Sequence, residues 1–260
     1  MANIDKHPAG TFCWFELATT DQAAAKKFYT SLFSWSADDS PIGPDDFYSM
    51  FKLSGRDAGA AYTMRKEQRA QGVPPHWMVY VAVTNADDAV SQAAQLGGTV
   101  LSPAFDVMDV GRMAVLQDPT GAIFSVWQAK SHIGTTIAGV ENTFCWADLS
   151  TPDPDRAGKF YAGLFGWETM KDPKDPSGYI HIKNGEDFIG GIPPATHRNP
   201  NAPPHWLVYV QVADVAAATA KAGQLGGKVL MPPRNMENVG DWSIIADPQG
   251  AVLSLFKSAR

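Results

Sequence analysis

The chain carries nearly the same sequence twice. Thr11–Trp35, TFCWFELATTDQAAAKKFYTSLFSW, returns 132 positions later as Thr143–Trp167, TFCWADLSTPDPDRAGKFYAGLFGW, with 14 of 25 residues identical. Pro74–Gln128 returns 129 positions later as Pro203–Lys257 with 24 of 55 identical, keeping PPHW, LGG, VG and the DPxGA run. A period near half of 260 residues means two copies of one domain, each of ordinary size. The predicted division is one domain over 8–130, a linker over 131–139 and a second domain over 140–258. At 45% hydrophobic and 18% charged residues, there is apolar material for two cores.

Each copy itself splits into two units of like pattern. Phe12–Ala18 reads as an aromatic-rich strand, and Thr19-Thr20-Asp21 after it is a helix-start signal. Ala24, Ala25, Phe28, Tyr29, Leu32 and Phe33 then follow amphipathic helical spacing. Short strands are predicted over Phe47–Leu53 and Ala58–Met64. The second unit opens with a strand over His76–Val83, then an alanine-rich helix over Asp87–Leu96 stopped by Gly97-Gly98. Strands over Thr99–Leu101, Arg112–Gln117 and Ala122–Gln128 complete it, with Asp118-Pro119-Thr120-Gly121 as the last turn. Each copy therefore reads strand–helix–three strands, twice: an α+β domain.

Several function classes are disfavoured. The net charge of −6, without long runs of one sign, argues against nucleic acid and anionic membrane surfaces as partners. No apolar run approaches membrane-spanning length, and the polar start MANIDKHPAG does not read as a secretory signal. A cytoplasmic protein, monomer or weak homodimer, is expected. Cys13 and Cys145 occupy equivalent sites, and two buried thiols in a reducing compartment are expected rather than a disulfide. No P-loop, dinucleotide fingerprint or nucleophile elbow is present.

The combination of strand–TTD–helix–FYxxLFxW, HWxVYVxV–helix–LGGxVLxP and VGxxxxxxDPxGAxxSxW resembles the vicinal-oxygen-chelate superfamily, which includes glyoxalase I, extradiol dioxygenases and bleomycin-resistance proteins. The resemblance spans almost the whole chain, as two tandem domains. It implies four βαβββ modules, paired so that each domain bends a mixed sheet into a cup around a cavity. Fold alone fixes no activity here.

Strand alternation then selects the residues facing each cavity. In the first strand, Cys13, Phe15 and Leu17 form the face expected to pack on helices, leaving Phe12, Trp14 and Glu16 for the cup. His76, Met78 and Tyr80 face the cup from the second module, with Ser125 and Trp127 from the last strand. The second copy presents Trp146, Asp148, His205, Leu207, Tyr209, Ser254 and Phe256 at the matching places. Each cup thus has an acid, a histidine, a tyrosine and a serine among aromatic walls suited to a small-molecule ligand. Bland readings stand beside this one. The histidines could hold the strand start by bonding a loop carbonyl, and any one tryptophan could simply fill a core. Arg112, replaced by Asp241 in the second copy, reads as a surface charge, and Asp118 and Asp247 as turn residues.

The resemblance also locates where metal ligands would fall. The first-strand position is Trp14 or Trp146, the glutamate position is Ser125 or Ser254, and the second-module position is near Met78 or Leu207. An indole cannot ligate a metal, and a serine hydroxyl is a poor ligand for zinc or iron. A shifted site from Glu16 and His76 has only two ligands, where catalytic metals usually have three. The expectation is no metal and no cofactor, with catalytic residues unassigned. Three readings stay open: a metal-free protein binding a small aromatic or hydrophobic molecule; an enzyme using a shifted metal site or Glu/His/Tyr acid–base chemistry; and a structural or regulatory protein whose cavities are closed by side chains.

Overall fold

The computed structural model describes residues 2–44, 46–171, 173 and 177–259. Each repeat builds its own eight-stranded sheet. The first runs, edge to edge, Ser36–Gly43, Asp46–Leu53, Arg56–Thr63, Phe12–Thr19, His76–Ala82, Ile123–Ala129, Gly111–Gln117, Thr99–Val107. The second runs Glu168–Lys171, Ile180–Asn184, Asp187–Ile192, Phe144–Ser150, His205–Gln211, Val252–Ser258, Gly240–Ala246, Lys228–Met236. The two module-opening strands of each repeat pair antiparallel at the sheet centre. Each also pairs parallel with the last strand of its own module, across a helical crossover. This is the tandem α+β arrangement expected from the sequence.

The helices form where caps and apolar spacing agree. Gln22–Phe33 starts on Asp21, whose side chain accepts from the Ala24 amide at 2.9 Å, and buries Ala25, Phe28, Tyr29, Leu32 and Phe33. It ends on Ser34 in the left-handed region, φ 57°, where the second repeat has Gly166 at φ 72°. A Cβ in that conformation costs about 1–2 kcal/mol. Ser34→Gly is therefore expected to raise the unfolding free energy by about 0.5–1 kcal/mol, after the extra unfolded-state freedom of glycine is subtracted. Urea denaturation checks this.

Two edge strands were not legible in the sequence. Ser36–Gly43 is almost wholly exposed, and Glu168–Lys171 is fully so. With neither face buried they carry no alternation; neighbouring backbone holds them. Thr99–Val107 outruns its expected three residues, continuing through Pro103 by register shifts that an edge strand tolerates.

The backs of the two sheets share one hydrophobic core drawn from both repeats. Phe12 packs 5.4 Å from the Trp167 ring and 5.2 Å from Trp206, while Phe144 stacks on Phe15 at 4.1 Å and lies 5.1 Å from Trp77. Each first strand thus inserts its leading phenylalanine into the other repeat. Polar bonds cross in the same way. Trp35 Nε1 donates to Asn142 O and Trp167 Nε1 to Gly10 O, both at 2.8 Å. Tyr29 donates to Asp247 at 3.0 Å and Tyr161 to Asp118 at 3.1 Å. The turn aspartates therefore join the repeats as well as closing their own turns.

Candidate functional site

The first strand departs from simple alternation at its start. Phe12 lies opposite Val81 and Trp14 opposite Tyr80, so Cys13 is the extra residue of a bulge. Phe12 consequently faces the shared core rather than the cup. Cys13 leaves the helix-packed face expected for it and is buried beside Trp14, Tyr80 and Trp127. The same slip falls between Phe144 and Trp146. From Trp14 and Trp146 onward, the expected faces hold, with Phe15 and Leu17 in the shared core.

Both cysteines are free thiols. Burial pushes the Cys145 thiol up to about 12 and fully buried Cys13 higher still. Little thiolate forms near neutrality, so a polar thiol reagent is expected to label neither quickly without denaturant. Half-buried Cys145 should react before Cys13, and mass spectrometry of timed samples reads the order.

A carboxylate stands at the centre of each cup. Glu16 accepts from Tyr48 Oη at 2.7 Å and Tyr80 Oη at 2.8 Å, and Trp14 Nε1 donates to Tyr48 at 3.0 Å. Asp148 is 6% exposed. It accepts from Tyr179 at 2.5 Å, Trp146 Nε1 at 2.9 Å and Tyr209 at 2.7 Å. The shorter acid is thus reached directly by the indole that in the first cup stops at the tyrosine. Tyr48 and Tyr179 were not singled out from the sequence. A signal existed: Tyr48 and Lys52, and Tyr179 and Lys183, repeat one spacing at an offset between those of the two main blocks.

The sheet beneath is adjusted to match. Glu16 lies beside Ala60 on the parallel neighbour, and Asp148 beside Gly191. A Cβ at Gly191 would stand 2.0 Å from Tyr179 Oη. The missing methyl is what lets Tyr179 descend to the shorter carboxylate.

Burial raises both carboxyls above their ordinary values of 4.5 and 3.8, and the tyrosine bonds pull the other way. Between the ordinary and the raised value, the folded chain binds more protons than the unfolded one. Stability from these groups is therefore greatest below that window and falls as pH rises through it. Glu16→Gln and Asp148→Asn are expected to flatten this slope in urea midpoints measured from about pH 4 to 7.

The other candidate residues divide. Met78 and Leu207 lie directly opposite the two acids. Tyr80 pairs with Ser125 and Tyr209 with Ser254. Ser125 Oγ is buried without a hydrogen-bond partner, whereas Ser254 donates to Ser243 O at 2.9 Å. Trp127 Nε1 donates to His132 O at 2.8 Å, and Phe256 lies 6.3 Å from the Tyr209 ring. His76 and His205 sit at the strand starts, their Nδ1 atoms 2.8 and 2.9 Å from the carbonyls of Pro74 and Pro203. That bond anchors the strand start, two residues from Met78 and Leu207. Arg112 pairs with Asp87 through two bonds of 2.8 and 2.9 Å, a surface contact. No pattern in the sequence singles out His132, set edge-on to Trp14 at 4.7 Å, or His181, 5.0 Å from the Tyr179 ring.

A family profile described as a glyoxalase-like domain matches residues 14–127 and again 146–256. The chain belongs to the glyoxalase-like family. Among its relatives is CFP32 of Mycobacterium tuberculosis, provisionally named a glyoxylase, 41% identical over 100% of this chain and 99% of that protein. The anthracycline biosynthesis protein DnrV of Streptomyces peucetius is 31% identical over 95% of this chain and 92% of its own length. The fold also matches the Mn(II)-bound glyoxalase of Novosphingobium aromaticivorans, TM-score 0.67 at 16% identity, covering 97% of this chain and 83% of that one. The 2,3-dioxygenase LapB of Pseudomonas sp. KL28 gives TM-score 0.64 at 15% identity, with 97% and 94% covered. These solved structures place the chain in the vicinal-oxygen-chelate fold.

A metal of the kind such proteins hold finds a poor donor set in this glyoxalase-like chain. The indoles of Trp14 and Trp146 offer N–H groups already donated to Tyr48, Tyr179 and Asp148. Ser254 is bonded to backbone. Glu16 and Asp148 are engaged by tyrosines, while His76 and His205, bonded to carbonyls through Nδ1, each keep only Nε2 to offer an ion. Among the described residues, no three His, Cys, Asp or Glu side chains are grouped to hold an ion. No helix among them is long and apolar enough to cross a membrane.

Proposed function

We propose that the protein binds a small aromatic or hydrophobic molecule in a cup of its sheets without a catalytic metal, inside a cytoplasmic compartment. The carrying observation is the arrangement at Asp148 and Glu16. Buried Asp148 and half-buried Glu16 are each oriented by two tyrosine hydroxyls, with tryptophan beside them, rather than left open to an ion. Aromatic walls supply contact area and stacking, and the acid fixes a polar group of the ligand. Similarity to a protein named for anthracycline biosynthesis supports a planar ligand, since anthracyclines are fused ring systems.

The test is twofold. Purified protein is expected to carry no stoichiometric manganese, zinc, nickel or iron by elemental analysis, and denaturing extraction is expected to release an aromatic molecule. About one metal per domain, lost on changing Glu16 or His76, would replace this reading with the metalloenzyme one. A second reading, acid–base catalysis, is favoured by the raised Asp148 carboxyl with His181 close enough to act on its charge. Turnover of an extracted molecule, lost in Asp148→Asn while binding persists, would establish it.

A further inference from the structure

The two cups have the same walls but not the same contents. Trp14, Tyr80 and Trp127 are 4%, 4% and 6% exposed. Their counterparts Trp146, Tyr209 and Phe256 are each only half-buried. The acids run the other way, Glu16 half-buried and Asp148 6% exposed, so the difference lies in the rings, and it comes from the chain that follows the first domain. His132 packs edge-on to Trp14 at 4.7 Å and to Trp127 at 6.0 Å. It is tied there by its amide to Val110 O at 3.1 Å and by its carbonyl to Trp127. Two residues on, Gly134 at φ 107° passes so close to the bulge that a Cβ would stand 2.1 Å from Cys13 O, and Thr135 N donates to that oxygen at 2.8 Å. The rim closes too: Val107, Val110 and Met113 pack onto the first cup. In the second, the equivalent Met236 and Val239 are each 47% exposed.

His132 is thus an occupant supplied by the chain, a small planar ring set against an indole. The second cup offers the equivalent indole, Trp146, half-buried, beside Tyr179, Tyr209 and Phe256. It differs in charge. Asp148 is held by three neutral donors, and among the described residues no Lys or Arg pairs with it. A carboxylate has about four acceptor sites, so a further donor can be taken. A buried carboxylate with no Lys or Arg beside it and only His181 acting on its charge, walled by electron-rich rings, favours a cation twice over, by direct pairing and by cation–π contact.

Resting on the reading that the protein binds a small aromatic molecule, we propose that the second cup is the binding site, that it takes a planar aromatic bearing a protonated amine paired with Asp148, and that His132 closes the first cup.

Calorimetry on the full chain with benzylammonium, benzyl alcohol and benzoate tests this. Benzylammonium is expected to bind at one site per chain, benzyl alcohol about tenfold more weakly, and benzoate without saturation. Asp148→Asn should remove the preference for the cation and Asp148→Glu keep it, with circular dichroism confirming both folds. Trp146→Ala should weaken binding about tenfold. Arg112→Ala, at a surface contact, should leave it unchanged, and His132→Gly should add a second site. Two equal sites in the unaltered chain, loss through Glu16→Gln, or benzoate binding as tightly as benzylammonium overturns the assignment while leaving small-molecule binding in place. No saturable binding of any probe, with nothing extracted, overturns both.

Discussion

Replacing Asp247 by alanine is expected to remove about 3–5 kcal/mol of unfolding free energy, the range for breaking a buried charged network. One oxygen accepts three amides of its own turn: Gln249 at 2.9 Å, Gly250 at 2.8 Å and Ala251 at 2.9 Å. The other accepts Tyr29 of the first repeat, whose hydroxyl in turn accepts Trp77 Nε1 at 3.0 Å. Alanine strands all of these buried donors at once. Tyr29→Phe should cost less, about 1–2 kcal/mol, because only two groups lose a partner. The double variant should fall short of the sum, since the residues share one bond. Asp118 and Tyr161 form the mirror network, so their substitution should cost a similar amount. Urea unfolding followed by tryptophan fluorescence and circular dichroism should give coincident single transitions, because the latches and the core belong to both repeats. Two separated transitions would show that the latches do not couple them.

Gly191→Ala is expected to cost about 2–3 kcal/mol, from overpacking and a lost buried hydrogen bond. The new methyl would sit 2.0 Å from Tyr179 Oη and 2.2 Å from its Cζ, so the ring must move away from Asp148. In a Tyr179→Phe background the cost should shrink, and pairing the change with Asp148→Glu should recover part of it. The opposite change in the first cup, Ala60→Gly, meets no such conflict and should cost only about 1 kcal/mol of backbone entropy. Thermal and urea unfolding of these variants decide the matter. An undiminished cost in the Tyr179→Phe background would mean that the methyl disturbs something other than the tyrosine.

What could be read in advance follows from which features repeat locally. The duplicated blocks, the cap at Asp21, the Gly97-Gly98 helix stop and the apolar alternation of His76–Ala82 are local patterns tied to burial. They disclosed the tandem fold, and they put Trp14, Glu16, Tyr80 and their counterparts on one face. The bulge at Cys13 lay beyond such reasoning, because a slipped register is a property of two strands together. Tyr48 and Tyr179 escaped because they sit outside the strongly conserved blocks of the repeat. His132 escaped for another reason. It belongs to the connection between domains, and only the folded path of that connection lays it against Trp14. Whether His76 bonds a carbonyl or a ligand was open in the sequence; its 2.8 Å contact with Pro74 O shows the carbonyl bond at Nδ1 and leaves Nε2 for a ligand.

The exchange of Phe12 and Phe144 between the halves has an evolutionary corollary. One half alone would leave that core face bare, and its natural complement would be a second identical half across a twofold axis. In such a symmetric dimer every substitution is made twice, so both cups must change together. Joining the halves in one chain keeps the mutual core and lifts that obligation. Glu16 with Ala60 against Asp148 with Gly191, and rings buried in one cup but half-buried in the other, are differences that a fused pair is free to accumulate.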